Sequence, residues 1–143
     1  MQTRTSSLFG LKEKYETFRE LVRVLYELER ALNVTKRVLP GIPDEALDSV
    51  INARKSIVKA YNEITKVVLT LRNDDLAKYV TVKAREAINK AKELAEKGNI
   101  AEARVLIEEE VLLLKEVGGL VDVSDLLEEA KEVLNRLGSS LIL

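Results

Sequence analysis

The side chains that could do chemistry in this chain are Lys, Arg, Asp, Glu, Tyr, Ser and Thr, because it contains no His and no Cys. Without imidazole there is no Ser-His-Asp triad, no His general base and no imidazole metal ligand. Without thiols there is no disulfide framework, thiolate zinc site, iron–sulfur cluster or Cys nucleophile. The carboxylates do not fill the gap. Glu108, Glu109 and Glu110 are consecutive, so on a helix they point about 100° apart and cannot converge on one ion. Glu110 projects nearest the apolar side of its segment. A di-iron carboxylate bundle needs Glu-x-x-His pairs. Asn73-Asp74-Asp75 does not open a calcium loop of the ~12-residue type. No Gly-rich phosphate loop occurs. No catalytic residue, metal or cofactor is expected, and the chain does not read as an enzyme.

Two groups of cations remain. Arg54 falls where its helix should present an apolar residue. Its stem can lie along the apolar seam with the guanidinium in water, or the cation can bind a small anion inside the bundle. Chorismate mutases, which are also small and helical, converge several Arg and Lys on one cavity, whereas here only Arg54 interrupts an apolar face. The second group is Lys78, Lys83, Arg85, Lys90 and Lys92 in the third helix, which could track a phosphate backbone. Glu86, Glu93 and Glu96 lie among them, and only Tyr79 is near enough to stack on a base. A nucleic-acid-associated subunit is therefore the alternative reading, and an anion-binding helical enzyme the third.

The elements that must position these residues are helices. Pro40-Gly41-Ile42-Pro43, Asn73-Asp74-Asp75, Gly98-Asn99 and Gly118-Gly119 punctuate the chain. Between them the apolar residues recur with a helical period, and no stretch alternates with period two. The pattern predicts helices over residues 8–37, 44–72, 75–97, 100–117 and 123–137. Phe18, Leu21, Leu25, Leu28 and Leu32 line one face of the first helix, and Leu47, Val50, Ile57, Tyr61, Ile64, Val68 and Leu71 one face of the second. Ala84, Ala87 and Ala91 in the third imply close approach to a neighbour. Asp44, Asn73 or Asp74, Asn99 and Asp122 are the candidate N-caps, Asp122 forming a capping-box-like pair with Asp125. Gly98 suits a left-handed residue after the third helix. The expected fold is all-α, a single-domain antiparallel bundle of four to five helices spanning residues 1–143, with the fifth helix across an end or a groove.

Residues 91–103 resemble the mid-hairpin turn of a tetratricopeptide repeat. The likeness occurs once and implies a helix–turn–helix without carrying a function.

The most informative surface is apolar. In the fourth helix, Ala103, Leu106, Ile107, Leu113, Leu114 and Val117 form the main arc, while Val105 and Leu112 lie opposite it. A helix with two apolar faces is central in its fold or shared with a partner. Leu141, Ile142 and Leu143 add a further apolar group after a Gly-Ser-Ser break. Charge is also uneven: residues 1–97 carry 19 Lys and Arg against 14 Asp and Glu, and residues 98–143 carry 4 against 10. These ends could meet head to tail. The function expected is a non-catalytic interaction or assembly protein. It would bury Val105, Leu112, Leu141, Ile142 and Leu143 against a second chain as a homo-oligomer or on a protein partner. Residues 1–10 hold no apolar run of the secretory kind, and no run is long enough to span a bilayer. A cytoplasmic protein with no membrane partner is expected. Its richness in charge suits work at high temperature.

Overall fold

The computed structural model describes the backbone of residues 7–138 and the side chains of residues 10–138. The described chain is all-α. In order it forms α1 (Ser7–Val38), a 3-10 turn (Leu39–Gly41), α2 (Asp44–Leu71), α3 (Asp74–Glu96), α4 (Ile100–Val117) and α5 (Ser124–Arg136). Each expected helix is present with its ends within a residue or two. The chain divides into two compact units, residues 18–71 and residues 1–17 with 72–143.

In the second of these, α3, α4 and α5 pack on one another, α3 against α4 most extensively. The reason lies in the facing residues. Ala77, Ala84 and Ala91 of α3 and Ala103 of α4 are fully buried, and side chains this short let two backbones approach closely. Ile88, Ile107 and Val111 fill the spaces left between them, joined by Ala130, Val133, Leu134 and Leu137 of the α5 segment. The fifth helix thus lies along the α3–α4 pair rather than capping it.

Local chemistry sets the turns of this unit. The Asn73 side chain accepts a hydrogen bond from the Leu76 N–H at 2.8 Å, which satisfies one of the free donors at the start of α3. Gly98 takes φ +86°, the left-handed conformation a residue with a Cβ adopts at a cost, and the Asn99 N–H returns to the Leu94 carbonyl at 2.8 Å. The other expected caps differ. Asn99 stands at the N-cap of α4 without a side-chain bond. Asp44 is already inside the first turn of α2. Val123, not Asp122, is the N-cap of α5. The Asp122 carboxylate instead accepts the Ser124 N–H at 3.0 Å. An Asp satisfied by the backbone two residues on forms a local turn that competes with capping. That same N–H bond holds the Asp122 carboxyl below its ordinary pKa.

The other unit is a helical hairpin, residues 18–38 of α1 followed by α2. Its seam is built from Leu28, Leu32, Leu47, Val50, Ile57, Tyr61 and Ile64, all only half-buried. These bulky residues hold the two backbones farther apart than those of α3 and α4. Phe18, Val22, Leu25 and Val68 are buried, but no residue from 26 to 67 is. Two helices alone cannot enclose a seam, since each covers only one side of the other.

Candidate interaction surfaces

On α4 the burial divides the helix lengthwise. Ala103, Ile107, Glu110, Val111, Leu113, Leu114 and Val117 are buried. Leu106, expected with them, is half-buried and packs on the edge of the core. Val111 was not in the expected arc, yet it falls only about 40° from Ile107 and lies inside it. Glu110, the member of its triplet expected nearest the core, is 1% exposed. On the opposite side Val105 is 58% exposed and Leu112 half-buried. Glu102, Glu109 and Glu116, seven residues apart, form a row beside them. The surface anticipated on α4 is therefore apolar with an acidic margin. Leu141, Ile142 and Leu143 lie outside the described residues.

The basic residues of α3 are spread over different environments. Arg85 Nη1 donates to Glu129 Oε1 and Lys92 Nζ to Glu129 Oε2, each at 2.6 Å, which ties α3 to α5. Lys92 first and Arg85 next hold the Glu129 carboxyl below its ordinary pKa, against a smaller opposing effect of burial. Lys83 lies 3.6 Å from Glu86 and 5.5 Å from the centre of the Tyr79 ring, which meets Tyr15 edge to face. Lys78 and Lys90 are exposed. Lys78 borders an open groove of roughly 600 Å³ together with Leu11, Lys14, Asn73, Asp75 and Tyr79. The groove mixes both signs of charge at the start of α3.

Arg54 bridges the hairpin. Its Nη1 donates to the Leu32 carbonyl of α1 at 2.6 Å and to the Thr35 hydroxyl. That hydroxyl sits 2.8 Å from the Ala31 carbonyl, its own acceptor within the helix. The guanidinium thus meets backbone and hydroxyl oxygens, with its stem along the seam.

Two arginines with clear structural tasks carry no local signal. Arg72, expected as the last residue of the second helix, lies just beyond α2, and its Nη1 donates to the Glu116 carbonyl near the end of α4 at 2.6 Å. Arg104 Nη2 donates to the Leu137 carbonyl at the end of α5 at 2.8 Å. Both place a cation at the negative end of a helix and satisfy a carbonyl left open there. Their partners are 44 and 33 residues away, so neither could be found from neighbouring residues.

Among the described residues no cluster of three or more carboxylates is placed to hold a metal ion. No described helix is long and apolar enough to cross a membrane. Comparison with protein-family models, with curated proteins and with solved structures finds no match to the chain.

Proposed function

We propose that this chain is a non-catalytic assembly protein that associates with further copies of itself through the outer face of α4. The observation that carries the reading is Val105, which at 58% exposed is the most open large hydrophobic side chain among the described residues. It lies on a helix whose other side is already buried. Exposed apolar residues are ordinary when scattered. Val105 and Leu112 are instead stacked seven residues apart on one line, beside a row of carboxylates that would keep the face soluble until it is covered. Leu141, Ile142 and Leu143 would add apolar surface to such a contact. The acidic balance of residues 98–143 against the basic balance of residues 1–97 would orient it. Assembly in the cytoplasm follows as the setting in which such a protein would work.

Size-exclusion chromatography with light scattering tests this over a range of concentrations. The full chain should run as an oligomer, and Val105→Glu should shift it toward monomer with its helical circular dichroism unchanged. Removal of residues 139–143 should weaken association further. A full chain that stays monomeric at every concentration ends the proposal.

A further inference from the structure

A second row of uncovered apolar side chains lies on α2. Ile51, Val58 and Leu69 are 37%, 44% and 50% exposed. At about 100° per residue they fall within some 20° of one another, on a flank of α2 about 90° round from the middle of its half-buried seam. Lys55, Lys59 and Lys66 follow on one side of this row, turned from it by about 40–100° in the direction of increasing residue number. On α4 the carboxylates Glu102, Glu109 and Glu116 stand on the corresponding side of the Val105–Leu112 row. One helix therefore offers an apolar row whose margin carries three lysines after a single Asp48 near its start, and the other an apolar row with an acidic margin of the same rotational sense.

That shared sense selects a direction of packing. When two right-handed helices meet antiparallel, the flanks of like rotational sense come together. When they meet parallel, those flanks lie on opposite sides of the contact. Only the antiparallel arrangement sets the lysines against the glutamates. The charges then select a register, the one that gives every lysine a glutamate. With Leu112 opposite Val58, Val105 falls opposite Thr65, one helical turn, about 6 Å, short of Leu69. Lys66, Lys59 and Lys55 meet Glu102, Glu109 and Glu116 in that order, within the reach of the long lysine stems. Charges flanking an apolar seam in this way set partner and orientation in helical pairs.

We infer that α2 of one copy docks antiparallel on α4 of a second copy, Val58 against Leu112, with the three lysines facing the three glutamates. The inference rests on the self-association reading and names the surface that reading lacks. A second copy is the occupant because each margin finds its complement on the same chain. Every copy carries both rows, so each copy can take either role in the contact. Lys66 already lies 3.1 Å from Glu63, but the two side chains are 72% and 60% exposed, and a pair so open to water exchanges readily for a better one.

Charge reversal tests the contact. One variant carries Lys55→Glu and Lys66→Glu, and the other carries Glu102→Lys and Glu116→Lys. Each alone should self-associate roughly tenfold more weakly than the unchanged chain at low salt, and an equimolar mixture should recover full association because both contacts are again between opposite charges. Circular dichroism and thermal unfolding of each variant show whether it is folded. If the unchanged chain is an oligomer but the reversed variants match it, or their mixture is not rescued, the α2–α4 contact is wrong while self-association stands. If the unchanged chain is a monomer throughout, both are wrong.

Discussion

Where α3 meets α4, alanines face a neighbouring helix; where α1 meets α2, leucines, isoleucines, a tyrosine and Arg54 do. The first choice brings backbones together and leaves Leu76, Ile88, Ile107 and Leu114 with no exposed surface. The second keeps them apart, and the hairpin holds no buried residue from 26 to 67. The third helix accounts for much of the contrast, because α5 covers the side of the α3–α4 pair that two helices would leave open. Its absence from the hairpin leaves Ile51, Val58 and Leu69 uncovered. A unit built on three helices and a unit built on two differ in how much they leave open: the first keeps an uncovered line on the outer face of α4, and the second has its whole seam partly in water.

The sharpest way to break this comparison is to cut equal amounts of side chain from each unit. Leu114→Ala removes a fully buried side chain and should cost about 2–5 kcal/mol in denaturant unfolding. Ile64→Ala removes a half-buried one and should cost about half as much, since part of that side chain is already in water. Hydrogen exchange should likewise be slowest in α3 and α4 and faster in residues 26–67. Equal losses would show that the hairpin is as well packed as the other unit.

A smaller effect is expected at the hairpin's bridge. Arg54→Ala removes the bonds to Leu32 and Thr35 and should loosen the hairpin by about 1 kcal/mol. Exchange should quicken around residues 31–38 and 50–58 while α3 and α4 keep their protection. Protection lost equally in both units would mean that they unfold as one, and the comparison would lose its basis.

The smallest effect concerns the bridge between α3 and α5. Glu129→Gln removes the charge that Arg85 and Lys92 share and should cost about 1 kcal/mol or less at neutral pH, the side chain being 25% exposed. The folded carboxyl titrates below its ordinary value of 4.5. Its contribution is therefore complete above that value and is lost as pH falls through the lower, folded one. The stability difference between the two chains should hold steady from pH 7 to about 5 and shrink in more acid solution. A difference that grew on acidification would mean that Glu129 is not held in its charged form.

Much of the architecture was legible before any coordinates. The 3.6-residue rhythm and the Pro, Gly and Asn-Asp interruptions located all five helices, and the alanines of the third helix implied the close approach that α3 and α4 make. Asn73 and Gly98 performed as their types suggest, since a cap and a left-handed turn are settled within a few residues. Asp122 did not, because two local bonding patterns compete at that point and the chain took the tighter one. The α4 surface was half legible. Spacing alone sets Val105 and Leu112 apart from the main arc of α4, while the lysine-flanked row on α2 is masked in the sequence by the stronger apolar seam beside it.

What the sequence determined by itself is what near neighbours decide: the helical period, the turns, and which side of each helix is apolar. The tertiary structure decided which apolar residues found cover and which cations found partners. Arg72, Arg104 and Glu129 obtained their roles from residues 33 to 44 positions away, and the exposure of Val105 and Val58 followed from where no further helix was laid. Those outcomes depend on distances between segments, which folding sets only once all the local elements are in place.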